Sequence, residues 1–466
     1  MLDGEISAAA VARRERVILF CLAAVHFTTI IDFMVVMPLG PQLEKALNLG
    51  PARFGMVVAA YTYAAGLAGL VATVTLDRFA RRTAFLTVFA GFILGTLACG
   101  LASTYATLVI ARFLTGAFGG ILGGIAMAIV GDVFPENRRG AATGLLMSAF
   151  AVASVAGVPI GLMLGLNYGW QAPFQVLAAL CVPIFVLAAF NLPRLDEHLA
   201  HHVDEAPLAR LKTMFSHPNH LRAFALITAL TFGAFAVFPY MSPYLVFNVG
   251  LRENQLPFVY IVGGLLSLVG SPLIGRLADR HGKLKVFRYV VPINAVLFLT
   301  LTVLPPVPVF VAVILSGLLM VSNVGRMVPA MALITSSVEP RLRGGFMGAN
   351  AAVQHMAAGL GTSVAAAILA QPKDQPIQHY PIAGALAAVV SLSTLFLAGR
   401  LRTAAIAPAA ESPQILGEAI LATEGGLLGR LSPAAERASL TDVRHSDDRG
   451  SPPARLRAAS PVGTAE

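Results

Sequence analysis

The sequence predicts an all-α integral membrane protein with twelve spans, because it combines great apolar content with few charges over a long chain. Of its 466 residues, 56% are hydrophobic and only 12% are charged, and the mean hydropathy is +0.75. A soluble protein would carry about a quarter of its residues as charges. Since one membrane helix needs about 20 apolar residues, the length suits about twelve helices with their loops. This composition argues against the alternative, a large soluble helical protein.

Twelve apolar runs follow one another along the chain. None shows the alternating ten-residue pattern of a membrane β-strand, so each is predicted to be a helix. The runs are 17–38, 54–76, 84–103, 107–133, 141–166, 172–192, 222–248, 256–278, 285–304, 307–336, 346–370 and 380–401.

Lysine and arginine are distributed unequally between the two sets of loops. The loops on the side of the N-terminus carry 21 of the 33, whereas the other side carries four: Lys45, Arg53, Arg252 and Lys373. Such a bias predicts that both termini lie in the cytoplasm and that the protein is a multi-pass protein of the cell (inner) membrane. It also accounts for the net charge of +9 without a nucleic acid partner.

Two motifs recur at nearly one spacing. The aspartates of Leu76–Arg82 and Ala278–Lys283 are 202 residues apart, and the Arg-Gly-x-x-x-Gly motifs that begin at Arg139 and Arg343 are 204 apart. The repeat predicts two pseudo-symmetric six-helix bundles. The resulting division is a cytoplasmic N-terminus at 1–16, bundles at 17–192 and 222–402, a cytoplasmic linker at 193–221 and a disordered tail at 403–466.

Asp32 is the acidic residue that lies well inside a predicted span. Burying a carboxylate there costs at least about 2.5–3.5 kcal/mol, so protonation, a cationic partner or a wet cavity must offset the cost. Thr28 and Thr29 precede it by four and three residues and share its helical face. The functional interpretation is a proton or cation site, and the alternative is a structural carboxylate satisfied by hydrogen bonds. Coupling would require that Asp32 is not locked in a permanently dry ion pair.

Two arginines, Arg112 and Arg326, also lie within predicted spans. Because arginine stays charged, each needs an anion, a carbonyl cluster or water. Each is either structural glue between helices or part of a transport pathway. His26 and His355 are either proton relays or hydrogen-bonded packing residues.

The fifth span contains Gly157, Pro159 and Gly161, a combination that allows close helix approach and weakens the local backbone hydrogen bonds. Tight packing alone would explain the glycines, and a hinge is the alternative. The Asp-Arg loops suit gating, because their ion pairs can form on closure and break on opening, while charges that only anchor topology are the alternative.

These residues together resemble the major facilitator superfamily over about residues 15–402. Gly275–Lys283 matches the superfamily's loop pattern G-x-L-A-D-R-x-G-R/K, and Leu76–Arg82 is a degenerate first copy. The resemblance implies gating and charge-relay roles for the following residues: Asp77, Arg78, Arg81, Asp132, Asp279, Arg280 and Lys283.

Further motifs are similar to those of the twelve-helix drug–proton antiporter branch, often labelled arabinose-efflux-like. Arg112-x-x-x-Gly116 matches the fourth-span motif tied to proton coupling, and Ala153–Gly161 resembles the fifth-span exporter motif with departures at Ala153 and Val158. Asp32–Gly40 and Gly325–Pro329 also resemble that branch. The resemblance implies a proton-coupled exporter of small molecules such as drugs, in which Asp32 carries the proton and Arg112 tunes it.

The substrate cavity is expected to include Arg326 and four aromatic residues of the seventh span: Phe235, Phe238, Tyr240 and Tyr244. The expected partners are a small-molecule substrate and the lipid bilayer, for a chain expected to be a monomer with no cofactor except the proton as coupling ion. No metal site is expected, since the histidines of the linker suit a solvated loop better. The alternatives are a sugar or metabolite exporter or importer, a non-transporting sensor, and a membrane enzyme. Enzyme motifs such as HExxH and GxxxxGK[ST] do not occur.

Overall fold

The computed structural model describes residues 2–193, 195–196, 207–339, 342–371 and 376–403. Within these ranges the chain is helical, and its only β-type pairing is an isolated bridge between Ala370 and Gln378. Twelve helices in these ranges are long and apolar enough to cross a membrane. The predicted fold class is therefore confirmed, and each span begins and ends within four residues of its predicted bounds. The described residues end at residue 403, so the predicted tail lies outside them beyond that position.

The first six spans comprise seven helices, and one further short helix lies between the first two spans. In chain order they are α1 (Leu2–Val35), α2 (Gly40–Leu47), α3 (Pro51–Thr75), α4 (Arg81–Leu101), α5 (Tyr105–Val133), α6 (Glu136–Val152), α7 (Val158–Tyr168) and α8 (Ala172–Asn191). The helix α2 lies between the first two spans and is too short to be a span itself. The fifth span is continuous from α6 to α7 through a π-helix at Ala153–Gly157.

The second half has one helix outside the membrane, followed by six spans. These are α9 (Pro207–Ser216), α10 (Pro218–Phe247), α11 (Leu256–His281), α12 (Lys283–Thr302), α13 (Val309–Ser336), α14 (Arg343–Ile368) and α15 (Tyr380–Arg400). The sequence did not predict α9, which lies in the polar segment between the halves. It packs against the second half through Met214, whose methyl group approaches Gly345 at the start of α14, and through Phe215, which stacks on Phe224.

The two halves meet along two lines where small residues allow close backbone approach. On one line α3 packs against α14, with Gly66 beside Met356 and Gly359 beside Thr62. On the other line the π-helix packs against α11, where a β-carbon on Gly264 would lie 2.9 Å from the carbonyl oxygen of Ser154. Glycine is needed there because any side chain would separate the two backbones.

We call the side of the molecule reached by the arginine-rich loops the basic side, and the other the opposite side. The buried apolar residues form three clusters with different memberships. The largest cluster, which we call the shared core, contains residues of both halves, such as Leu39 and Phe54 from the first and Tyr240 and Leu245 from the second. The other two clusters each belong to one half alone. Since α2 and the 253–255 turn adjoin the shared core, the halves are sealed together on the opposite side.

Candidate functional site

The centre of the candidate site is an ion pair between α1 and α5. A guanidinium nitrogen of Arg112, Nη1, donates to the Oδ2 atom of Asp32 at 2.8 Å and to its backbone carbonyl oxygen at 3.0 Å. Both side chains are 0% exposed. The structure therefore brings together the two residues to which the sequence assigned coupling.

The rest of the pair's surroundings come from neighbouring helices of the first half. The hydroxyl of Thr96 on α4 donates to Oδ1 of Asp32 at 3.1 Å. The guanidinium of Arg112 lies 4.5 Å from the ring centre of Tyr61, which offsets part of its desolvation through a cation–π contact. Its Nε and Nη2 atoms are buried without a hydrogen-bond partner among the described residues. Arg112 is thus incompletely satisfied, so the site retains unused hydrogen-bond donors.

Thr28 and Thr29, which share the predicted face of Asp32, bond elsewhere. Their hydroxyls donate to the backbone carbonyl oxygens of Val25 and His26, both at 2.8 Å. Sequence reasoning missed Thr96, the residue that does bond to Asp32. No spacing within one helix could have revealed it, because α4 and α1 meet only in the folded bundle.

The pair has no exposure to solvent in this conformation. A change of conformation must therefore precede any exchange of a proton between Asp32 and water. The neighbouring residue Phe33 is half-buried and contacts the second half.

An aromatic cluster lies beside the pair and spans both halves. The ring centre of Phe33 lies 5.3 Å from that of Tyr61 and 5.7 Å from that of Phe235 on α10. The ring of His355 on α14 is perpendicular to that of Phe33, with 6.2 Å between the ring centres. Neither His26 nor His355 bonds to Asp32 or Arg112 among the described residues. The cluster offers ring faces at the point where the two halves meet, next to the ionisable pair.

Two of the predicted cavity aromatics instead belong to the shared core. Tyr240 is fully buried and its hydroxyl donates to the carbonyl oxygen of Thr362 at 3.1 Å. Tyr244 is 6% exposed, and its hydroxyl donates to Leu304 at 3.0 Å. Their position in the seal, rather than in an open cavity, follows from the closure of the opposite side. Phe238 is partly buried and packs edge-on against Phe298.

Arg326 is held in the interior of the second half. Its guanidinium donates to Asn323 Oδ1 at 2.7 Å, to the hydroxyl of Ser391 at 2.8 Å and to the carbonyl oxygen of Leu230 at 2.9 Å. It is 1% exposed, so this geometry favours the structural alternative over the predicted cavity role. Neutral acceptors from three helices satisfy its hydrogen-bonding groups.

The predicted charge relay is partly assembled. The Nε atom of Arg81 lies 3.4 Å from Oδ2 of Asp132, a pair that the resemblance implies, and the side chain of Arg81 is largely buried. The side chain of Asp77 lies outside the described residues. Asp279 is exposed and has no ion-pair partner in the described part of the chain, and Arg280 is exposed beside it. Lys283 begins α12 and, with Arg343, lines a cavity of about 420 Å³ at the basic side. Arg78 is exposed at the end of the 76–78 turn.

The predicted hinge residues pack against α1. A β-carbon on Gly157 would overlap Ile31, and one on Gly161 would lie 2.6 Å from Val35. Pro159 follows the π-helix at Ala153–Gly157, in which the backbone hydrogen bonds depart from the α-helical pattern. Close packing is therefore one function of the glycines, and the π-helix supplies the local irregularity that a hinge would need.

No group of His, Cys, Asp and Glu side chains in the described ranges is arranged to hold a metal ion. The three cysteines, Cys21, Cys99 and Cys181, are free and buried.

The comparisons with known proteins agree with this fold. The family described as Major Facilitator Superfamily matches residues 22–362. The chain belongs to the Major Facilitator Superfamily. It is accordingly a multi-pass membrane transporter, and members of this superfamily are not enzymes.

Individual relatives are distant. The uncharacterized MFS-type transporter YceJ of Bacillus subtilis is 25% identical over 80% of this chain and 93% of its own. A probable sugar efflux transporter of Helicobacter pylori is 27% identical over 58% of this chain and 67% of its own. Among solved structures, a bacterial homologue of the human lysosomal transporter Spinster, in an inward-facing and unoccupied conformation, has a TM-score of 0.60. It is 14% identical and covers 90% of this chain and 99% of its own, which supports the fold.

Proposed function

We propose that this transporter exports small molecules by alternating access in exchange for protons, and that Asp32 carries the proton. The observation that supports this proposal is the fully buried pair of Asp32 and Arg112, in which Arg112 keeps two donors without partners. A buried ion pair is weak evidence for stability, because the desolvation of both charges opposes their attraction. A carboxylate at this position is therefore better explained by a role in transport, in which it binds and releases a proton, than by a contribution to stability.

The pair connects protonation to conformation through its position. In the proposed cycle Asp32 is ionised while it is paired with Arg112, and its protonation removes the attraction between α1 and α5. Phe33, the next residue on α1, contacts Phe235 of the second half. A change in the packing of α1 therefore reaches the contact between the halves. By linkage, a substrate that favours ionised Asp32 must weaken proton binding by the same factor.

The separate cores on the basic side support a conformation that opens towards that side, which the distribution of charge assigns to the cytoplasm. In this conformation substrate would enter from the cytoplasm to the aromatic cluster. Release on the opposite side would require the shared core to part, and proton uptake by Asp32 would follow from there.

Two substrate classes fit the cluster. Ring faces stack against planar drugs, and they also pack against the apolar faces of sugars. The probable sugar efflux transporters among the relatives favour a sugar or related metabolite, while the sequence motifs favour drugs.

The test is transport in proteoliposomes with an imposed pH gradient. A panel of labelled monosaccharides, disaccharides and lipophilic cationic dyes would be compared for the wild type, Asp32→Asn and Glu15→Gln. Glu15 lies on the same helix and pairs with Arg138 near the basic side, so its change to an amide is the matched control. We expect gradient-driven transport of one class to be lost in Asp32→Asn and kept in Glu15→Gln. Wild-type rates in Asp32→Asn would exclude Asp32 as the coupling residue, and the absence of any flux would favour a sensor.

A further inference from the structure

A second acidic residue is buried in the seal on the opposite side. Among the residues whose burial is described, Asp32 and Glu44 are the two buried acids, and Glu44 is 6% exposed. Asp32 has Arg112 and Thr96 as partners, whereas neither carboxyl oxygen of Glu44 has a hydrogen-bond partner. An ionised carboxylate without a partner is strongly disfavoured in such a place.

The helix that carries Glu44 is part of the contact between the halves. At the start of α2, Gly40 is so close to α10 that a β-carbon would lie 2.8 Å from Pro243. Leu39 and Leu43, which flank this contact, belong to the shared core together with Tyr240. The carboxyl group therefore lies in an apolar seal that has to part whenever the opposite side opens.

The charged groups near Glu44 are committed elsewhere. Its neighbour Lys45 is largely exposed and pairs with Glu253 of the second half. On α3, which also packs against α2, the guanidinium of Arg53 lies over the ring of Tyr105 at 5.7 Å.

Two tyrosines are the titratable groups near the C-terminal end of α10, the other helix packed against α2, while His220 and Arg222 lie at its opposite end. Tyr240 is close enough to interact electrostatically with Glu44, but its hydroxyl already donates to Thr362. The hydroxyl of Tyr244 donates to Leu304. No described cation compensates Glu44, so burial raises the pKa of its carboxyl group from 4.5 to about 8.

We propose that Glu44 is a second proton-binding site, which favours the closed seal when it is protonated and favours opening of the opposite side when it is ionised. The inference rests on the alternating access proposed above, but not on the role of Asp32 or on the identity of the substrate. Its ligand is a proton from the solution on the opposite side.

The sign of the effect follows from the two environments of the carboxyl group. In the closed seal its pKa is about 8, and once water enters, the pKa returns towards its ordinary value of 4.5. The closed state thus binds the proton more tightly. Protonation of Glu44 favours the closed state fully below pH 4.5, and this preference is lost as pH rises through about 8. Between pH 5.5 and pH 8.0 the ratio of open to closed seals should rise by roughly tenfold to a hundredfold.

The experiment measures the opening of the seal directly, without substrate. Spin labels would be attached to Ala52→Cys and Asn254→Cys, which are exposed positions of the first and second halves on the opposite side. The native cysteines are buried, which limits background labelling. Electron–electron distance measurements in lipid nanodiscs at pH 5.5 and 8.0 should show a longer distance gaining population at the higher pH.

Variants assign the effect to Glu44. Glu44→Gln should keep the short distance at both pH values, and Glu44→Leu should do the same if the amide variant fails to fold. Glu253→Gln is the matched control, because it removes a half-buried acid, the partner of Lys45, from the same seal and should keep the pH response. A wild-type distribution that does not change with pH, or a full response in Glu44→Gln, would overturn the proposal. A response lost only in Asp32→Asn would also overturn it, and would assign the pH sensitivity to the coupling pair.

Discussion

Replacing Asp32 with asparagine would leave Arg112 as an unpaired charge inside the first bundle. The guanidinium is 0% exposed, and two of its nitrogens already lack acceptors. Only the bond from Nη1 to the backbone carbonyl oxygen at position 32 and the contacts with the rings of Tyr61 and Phe174 would remain. Removal of one partner of a buried pair costs about 3–5 kcal/mol, and we expect the variant to lose stability in that range.

Removing both charges should restore most of that loss. When both partners of a buried pair are replaced by uncharged groups, the change is often neutral or stabilising by about 1–4 kcal/mol. The variant Asp32→Asn with Arg112→Leu should therefore be more stable than Asp32→Asn alone. It should nonetheless lack pH-driven transport, because the titratable group is gone.

The assay is unfolding in mixed micelles followed by far-ultraviolet circular dichroism, for both single variants and the double variant. The exposed pair of Glu15 and Arg138 provides the comparison, since such surface pairs contribute about 0–1 kcal/mol. A loss of less than about 1 kcal/mol in Asp32→Asn, or a double variant less stable than both single variants, would contradict a structural dependence of Arg112 on Asp32.

Three further predictions concern packing, structure and gating. Gly116→Val should prevent close packing of α5 on α3, because its β-carbon would overlap the backbone of Tyr61. Gly124→Ala should be tolerated, because open space surrounds Gly124, and thermal unfolding of the two variants tests the difference. Arg326→Met should destabilise the protein by about 1–3 kcal/mol, because the buried acceptors lose their donor, and Michaelis constants of the remaining folded protein should change little if its role is structural. Asp279→Asn should lower turnover in proteoliposomes more than substrate affinity, because the exposed carboxylate would act in gate closure; unchanged turnover would contradict a gating role.

The sequence predicts the fold well because the bilayer imposes strong constraints on it. Apolar length decides where each span lies, and all twelve appear within four residues of their expected bounds. The small helix α2 was missed, since its eight residues of mixed polarity show none of these signals. The burial of Glu44 was missed with it, because a carboxyl group in a loop looks solvated until the loop is packed between two halves.

The sequence predicts those residues of the candidate site whose charge is energetically costly to bury in a membrane. A carboxylate and an arginine in apolar helices require partners, and Asp32 and Arg112 are each other's. For Arg326 the sequence leaves structural glue and a cavity role as alternatives, and in the structure neutral acceptors on three helices satisfy its guanidinium. Which partner an intramembrane charge takes depends on the rotation of each helix about its axis. The nearly uniform apolarity of these spans leaves that rotation undetermined.

The glycines of the fifth span restrict how the proton site can move. A β-carbon on Gly157, Gly161 or Gly165 would meet Ile31, Val35 or Leu39, so two side chains of α1 and one from the turn after it fill successive gaps along the fifth span. Rotation of α1 about its own axis would drive these side chains into backbone. We therefore expect Asp32 to move together with the fifth span, and its access to water to change when the opposing half withdraws.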